Sequence, residues 1–325
     1  MLLRISDFNI ELHNKGKNLD KAFKDYIFDF KTADIVTQVT LNDVKYEESQ
    51  SESFQFLGVF AVAGVHRKLA EWLPLHNAFV FHSAVFDVKG TGIALAAHSG
   101  TGKTTHMLLW QKLLGQKMTI VNGDKPIIRF FDDEPETPYA YGTPWNGKEH
   151  LGCNMRTPLK VIAFIERAEN NSCERMSMSD AVNLIFNQVY MPKDPAAAAK
   201  TIELINRLIS CCELWKISCN MELEAAEVAY NRIMEEKMKL KYNFVTNEVA
   251  DKIVAVAVGD DLSKFNGFIK MNGTGAYIFD KLKNDVTVDE IVSAMQKDYA
   301  DATESEIRET VEEFIGELEK ADVLE

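Results

Sequence analysis

Apolar residues follow two rhythms along this chain, and each rhythm marks its own kind of element. Continuous apolar or β-branched runs at residues 78–87, 93–97, 118–121, 125–131 and 159–166 predict strands. Apolar residues spaced three and four apart at 106–114, 179–190, 196–212 and 222–240 predict helices. A Lys89-Gly90 turn makes the run at 78–87 a hairpin partner of the run at 93–97. Upstream, residues 2–5, 35–41 and 54–60 have strand-like content, 46–53 read as an exposed polar loop, and 65–72 as a short helix stopped by Pro74. That region shows no chemistry and is expected to flank the main sheet.

The C-terminal part has its own pattern. Strands at 253–258 and 268–271 surround the turn Gly259-Asp260-Asp261, and Asn272-Gly273-Thr274-Gly275 starts a helix at 276–282. Thr287-Val288-Asp289-Glu290 fits an N-cap and first turn, with Ile291, Val292, Met295 and Tyr299 at helical spacing. A third helix, 304–320, carries Ile307, Val311, Phe314, Ile315 and Leu318 on one face. Strands followed by three short helices make a small winged-helix-like unit.

Charge separates the same two parts. From Phe244 onward there are 19 acidic and 8 basic residues, whereas the preceding 243 residues carry 30 and 28. Neither part has the basic stripe that nucleic acid requires, so no nucleic-acid partner is expected. No run of about eighteen apolar residues is present, so no membrane span is expected. The N-terminus lacks the apolar core of a signal peptide, and five cysteines without a Cys-x-x-Cys pair suit free thiols, so the expected location is the cytoplasm.

The chemistry gathers between residues 92 and 124. An apolar strand passes into His98-Ser99-Gly100-Thr101-Gly102-Lys103-Thr104-Thr105, then a helix, then a strand ending in Asn122-Gly123-Asp124. Strand, glycine loop with Gly-Lys-Thr, helix and Asp-ended strand is the plan of a P-loop phosphate site. Loop amides and a helix N-terminus favour an anion there. The expected cofactors are ATP and Mg²⁺. Ser99, Gly100, Thr101, Gly102, Lys103, Thr104 and Thr105 would cradle the phosphates, Lys103 reaching the β/γ-phosphates and Thr104 and Asp124 holding the metal. The first glycine of the full motif is replaced by Ala97. The loop Tyr141-Gly142-Thr143-Pro144-Trp145-Asn146-Gly147-Lys148 could cover a ligand, and Lys125, Arg129, Trp145 and Lys148 are candidate phosphate or substrate contacts.

Together with His82, these motifs resemble the HPr kinase/phosphorylase family, which shares its P-loop architecture with phosphoenolpyruvate carboxykinases. Asn122-Gly123-Asp124-Lys125-Pro126, Gly142-Thr143-Pro144-Trp145-Asn146-Gly147-Lys148, Cys219-Asn220-Met221 and Ala225-Ala226-Glu227 are similar to the pattern of HPr-kinase-like proteins of bacterial peptide-modification clusters. The resemblance implies an Asp pair after the second strand for metal binding and general-base work. Here Gly123 takes one place. Either Asp124 serves as both metal ligand and base with His82 as its helper, or the base comes from elsewhere, or catalysis is slow or absent. If the glycine weakens the site, Gly123→Asp is expected to raise activity. The resemblance leaves a homo-oligomer open.

The acidic part resembles the PqqD family of peptide-recognition modules in Met271-Asn272-Gly273-Thr274-Gly275-Ala276-Tyr277-Ile278-Phe279, in Thr287-Val288-Asp289-Glu290-Ile291 and in Asp322-Val323-Leu324. It implies a leader peptide added as a strand at Phe268, Ile269 and Lys270, beside the last helix. The acidic excess is expected to favour a basic peptide.

The fold class expected is α/β. Residues 1–74 form a mixed α/β part, 75–240 an HPr kinase/PEP carboxykinase-like P-loop domain, and 244–325 a small winged-helix-like PqqD-type α+β domain. The function expected is a kinase acting on a Ser/Thr hydroxyl of a ribosomally made precursor peptide, alongside enzymes of the same modification cluster. The alternatives are an ATP-binding adaptor that presents the peptide to a partner enzyme without phosphoryl transfer, and a small-molecule hydroxyl kinase.

Overall fold

A hairpin opens the chain in the computed structural model. Residues 1–51, 57–98, 100–234, 237–250, 252–265, 267–299 and 302–325 are described, in two units, Met1–Ile233 and Met234–Glu325. β1 (Leu2–Ile5) and β2 (Phe8–Leu12) run antiparallel around Ser6 and Asp7, both in the left-handed region (φ 54° and 60°), and β3 (Ile35–Thr37) adds parallel to β2. Alternation along β2 buries Phe8, Ile10 and Leu12 against α1 (Lys17–Phe23), α2 (Leu41–Ser49) and α3 (Leu57–Trp72).

Two expectations fail here for local reasons. Residues 46–49 belong to α2 rather than a loop. Thr40 and Asp43 close a capping box, Val44 is buried, and Arg67 of α3 bonds Asp43 and Glu47 at 2.7 and 2.5 Å. The strand expected at 54–60 gives way to α3, which residues 57–60 open, while 54–56 lie outside the described residues. Phe60, Val65 and Leu69 are buried at helical spacing, so the full helix period outweighs the β-like composition of its first turn.

The main sheet, nine strands among the described residues, comprises β4 (Ala78–Val80), β5 (Ala84–Val88), β6 (Thr91–Ala96), β7 (Met118–Asn122), β8 (Ile127–Arg129), β9 (Tyr139–Tyr141), β10 (Arg156–Arg167), β11 (Ser172–Arg175) and β12 (Glu213–Cys219). Their order is β4-β8-β9-β10-β6-β5-β7, with β12 beside β10 and β11 beside β12. The α/β class is as expected, with this large sheet at its centre. Helices α4 (Lys103–Leu114), α5 (Met178–Phe186), α6 (Pro195–Cys211) and α7 (Leu223–Ile233) belong to the same unit. The apolar stripe of α6, with Leu204, Ile205 and Leu208 fully buried, packs on Phe79, Ile128 and Ile162 of the sheet.

The hairpin turn at Lys89 and Gly90 (φ 53° and 84°) forms as expected. The run at 78–87 is however two strands. Phe81 N–H bonds to Pro126 O and His82 N–H to Gln188 O, which takes residues 81–83 out of the ladder. β5 then lies antiparallel between β6 and β7, with Ala84 opposite Leu95 and Val85 opposite Asn122. The residues just before β5 therefore stand at the C-terminal ends of both neighbours.

In the second unit, β13 (Phe244–Val249), β14 (Lys252–Ala257) and β15 (Phe268–Met271) form an antiparallel sheet. α8 (Gly273–Lys281), α9 (Val288–Asp298) and α10 (Glu304–Lys320) cover it, burying Phe279, Ile291, Val311 and Ile315 with Ala255. Capping boxes at Thr287/Glu290 and Thr303/Glu306 start α9 and α10. The helix expected through residue 240 ends at Ile233, because Met238 and Leu240 bridge to Val286 and Leu324.

Candidate active site

The glycine loop leaves β6 and turns into α4 with little side-chain material. Gly100 and Gly102 have φ of 80° and 124°, a region costly for other residues, and open space surrounds the Cβ position of each. Gly102 caps α4 with no side-chain hydrogen bond, so the first-turn amides are left for an anion. Arg167, at the end of neighbouring β10, donates to Gly100 O at 2.5 Å and Thr101 O at 3.2 Å, which turns the loop's carbonyls outward. Ser99 lies outside the described residues.

Asp124 is set by its predecessor. Buried Asn122 ends β7, and its Oδ1 accepts from Asp124 N–H (2.9 Å) and Lys125 N–H (2.8 Å). Its Nδ2 donates to Thr143 O and Oγ1, and Thr143 Oγ1 donates in turn to Lys125 O at 2.7 Å. Gly123 N–H bonds Leu151 O, and a Cβ on Gly123 would stand 2.8 Å from Asn146 O. Backbone therefore fills the place of a second Asp side chain, and the expectation that Gly123→Asp restores a pair is overturned by that crowding. Gly147 (φ 85°) closes over Asp124, whose Cβ would lie 3.3 Å from a side chain there.

His82, Lys103 and Asp124 meet where the topology brings β5, β6 and β7 together. Lys103 Nζ donates to Ala97 O at 2.9 Å and approaches His82 Nε2 at 3.3 Å; His82 Nε2 is 3.2 Å from Asp124 Oδ1. Lys125 Nζ is 3.8 Å from Asp124 Oδ2. One ring nitrogen cannot accept from the ammonium and donate to the carboxylate at once, so His82 has two proton arrangements here. Burial alone would raise the Asp124 pKa. The His82 hydrogen bond and the charges of Lys125, His82 and Lys103 outweigh it and hold the carboxyl below its usual value. Burial lowers the Lys103 pKa against the opposing pull of Asp124.

The residues fit a nucleotide phosphate and a hard cation. Among the described residues no group of three metal-ligating His, Cys, Asp or Glu side chains occurs. One carboxylate and one hydroxyl, Asp124 and Thr104, suit Mg²⁺, which keeps several waters and takes oxygens from phosphates.

The other candidates sit elsewhere. Arg129 donates to Ser6 O at 2.6 Å and lies over the Phe8 ring at 3.7 Å, so it joins the N-terminal hairpin rather than this site. The Trp145 ring packs against His66 and Phe23 with its N–H on Val62 O, and only its backbone carbonyl meets Lys125. Lys148 is exposed. Asn122, Thr143 and Arg167 are the residues the sequence reading missed. Asn two before an Asp is an Asx-turn signal that could have found the first. Thr143 lies inside the 142–148 motif without being singled out by it, and nothing local marks Arg167.

In the second unit, β15 pairs only with β14 among the described residues, leaving one edge open. Phe268 and Lys270 are exposed and Ile269 is half-buried. Lys252, Lys270, Met271, Asn272, Phe314 and Glu317 line a groove of about 310 Å³ between that sheet and α10.

Residues 253–324 match the PqqD family model. Its description is coenzyme PQQ synthesis protein D. The resemblance expected for this part is thereby borne out, and "PqqD-like unit" is used for it below. No protein of curated function matches the sequence at a significant level. Solved structures that align with parts of the chain include the following two. TbiB1 in complex with the TbiA(beta) leader peptide is 20% identical over 27% of this chain and 94% of its own, with a TM-score of 0.23. The Hpr(Ser) kinase/phosphatase from Coxiella burnetii is 8% identical over 48% of this chain and 96% of its own, with a TM-score of 0.27. At these scores neither alignment bears on the site. No helix among the described residues is long and apolar enough to cross a membrane.

Proposed function

We propose that the chain is an ATP- and Mg²⁺-dependent phosphotransferase acting on a Ser or Thr hydroxyl of a ribosomally made precursor peptide, which its PqqD-like unit recognises. The observation that carries this reading is the junction of Lys103, His82 and Asp124 beside the uncapped start of α4. Bound Mg²⁺ would offset the phosphates' negative charge. Lys103 leaves Ala97 O for the phosphate oxygens, where its charge counters the negative charge that grows on the transferred group. With the ammonium gone, His82 Nε2–H donates to Asp124 and orients that carboxylate. Asp124 then accepts the proton of the attacking hydroxyl as its oxygen bonds to phosphorus and the bond to the nucleotide diphosphate breaks. Arg167 holds the loop carbonyls so that the amides keep facing the phosphates.

The PqqD-like unit supplies the peptide. An extended segment adds to the open edge of β15 through backbone hydrogen bonds, with alternate side chains entering the groove. That groove presents Lys252 and Lys270 beside Glu317, so the charge a peptide meets there is not the unit's net negative charge. On the same reading residues 1–74 flank the P-loop domain, and the boundary before the PqqD-like unit falls after Ile233.

One observation favours a second reading, the ATP-binding adaptor. The Asp124 turn carries a single carboxylate because backbone occupies the Gly123 side. Two variants separate the readings. Lys103→Ala should abolish nucleotide binding, whereas Asp124→Asn should leave much of it and lower phosphoryl transfer by about 10²–10⁴-fold. Tight ATP binding by the wild type with no transfer to any candidate precursor peptide would establish the adaptor.

A further inference from the structure

The first unit holds a cavity of about 430 Å³ that the phosphate site does not use. Its walls come from the β1–β2 turn, residues 26–28, the end of β9 and residues 154–156, and none from the glycine loop. The volume is within the range of small-molecule sites, about 300–1,000 Å³.

Two guanidinium groups face it. The Arg4 guanidinium carbon stands over the Phe28 ring, 3.7 Å from its centre, and its Nε donates to Asn9 Oδ1 at 3.1 Å. Its two terminal amino groups bond no described residue. Arg156 donates through Nη1 to Asp7 Oδ2 (3.2 Å) and Tyr141 Oη (3.0 Å). Tyr141 O–H itself donates to Asp7 at 2.5 Å, so the one acidic group on the wall is already engaged. Arg129 adds a third positive charge behind the wall, held on Ser6 O. Asp7 and Asp34 act on the same cluster, and the uncommitted donors there are the two terminal amino groups of Arg4.

Ser6 supplies the independent sign of a ligand. It lines the cavity, is 2% exposed, and its hydroxyl oxygen is buried with no hydrogen-bond partner. A buried hydroxyl left unpaired is costly, and a ligand oxygen would satisfy it. The left-handed backbone at Ser6 and Asp7 is what a two-residue hairpin turn requires. Beside Arg4, Ile27 and Phe28 leave apolar surface exposed.

We propose that this cavity is a second ligand site, taking a small anion with an apolar body. A carboxylate or phosphate group sits between Arg4 and Arg156 and accepts the Ser6 hydroxyl, while the apolar body covers Phe28 and Ile27. Charge-assisted bonds from guanidinium groups supply the selectivity for the anion.

Benzoate, phenyl phosphate and inorganic phosphate are the probes, titrated calorimetrically into the full chain carrying Lys103→Ala, which silences the glycine loop. At least one aromatic probe should bind at a single site in the millimolar range or tighter, and inorganic phosphate should bind about tenfold more weakly. The better aromatic probe tells whether the site takes a carboxylate or a phosphate. Arg4→Gln and Arg156→Gln should each weaken binding about tenfold or more. Ser6→Ala removes no existing side-chain bond that fixes the fold, so it should weaken binding without lowering the melting temperature. No saturable binding of either aromatic probe overturns the proposal. So does unchanged affinity in the Ser6→Ala and Arg4→Gln proteins.

Discussion

Gly123 faces Asn146 so closely that a Cβ on the glycine would stand 2.8 Å from the Asn146 carbonyl oxygen. The Leu151 carbonyl would be 3.2 Å from the same atom, and both oxygens belong to backbone that cannot rotate away. The glycine is thus a packing requirement of the loop that follows Thr143. Gly123→Asp should destabilise the protein by about 1–3 kcal/mol, the usual cost of overpacking. It should lower phosphoryl transfer. A thermal melt against wild type checks the first part, and higher activity at unchanged stability would contradict the packing account.

Asn122 is the residue on which the Asp124 turn depends. Asn122→Ala removes the acceptor for two backbone amides and the donor to Thr143. Each buried group left unpaired costs about 1–3 kcal/mol. The variant should lose stability and bind ATP-Mg²⁺ more weakly. Wild-type denaturant midpoint and affinity in Asn122→Ala would remove this residue from the site.

Stability should fall with pH well before carboxylates protonate. Burial foremost, then the Lys125 charge, brings the pKa of His66 down to about 3, with Asp124 pulling the other way. Burial brings His106 down to about 4. In the unfolded chain both groups titrate near about 6.5. Below about 6.5 the unfolded state therefore binds more protons than the native state, and stability drops as pH falls. The limiting slope is about 1.4 kcal/mol per pH unit for each histidine. Urea midpoints measured from neutral pH downward should decline in this window, less steeply in His66→Gln. A flat midpoint through it would contradict the burial of both rings.

The natural place to divide the chain is after Ile233, because Met238 and Leu240 bridge into the second unit. The protein ending at Ile233 should keep its ATP affinity and show a sharply raised KM for the precursor peptide. If it phosphorylates full-length peptide as efficiently as the whole chain, the PqqD-like unit is not the recognition element.

Elements with a complete local signature were legible in the sequence. The Lys89-Gly90 hairpin, the loop into α4 and the Thr287 cap all carry their own punctuation. α2 was hidden because its stability comes from Arg67, twenty residues past Glu47, and from a capping box in a polar stretch. β9, β11 and β12 were hidden because pairing with long β10, directly or through β12, makes them strands. At the site, Lys103 and Asp124 declared themselves by spacing. His82 reaches them only because β5 runs antiparallel between β6 and β7. Arg129 and Trp145 stood at promising places in the sequence, yet a hairpin turn and a helix claim their side chains.

Intact-mass measurement of a candidate precursor peptide, after incubation with the full chain and ATP-Mg²⁺, tests the central claim most directly. The account predicts the gain of one phosphoryl group on a Ser or Thr, absent when Lys103→Ala or Asp124→Asn protein is used. An unmodified peptide that nonetheless binds the ATP-loaded protein, or equal phosphorylation by the Asp124→Asn protein, would contradict it.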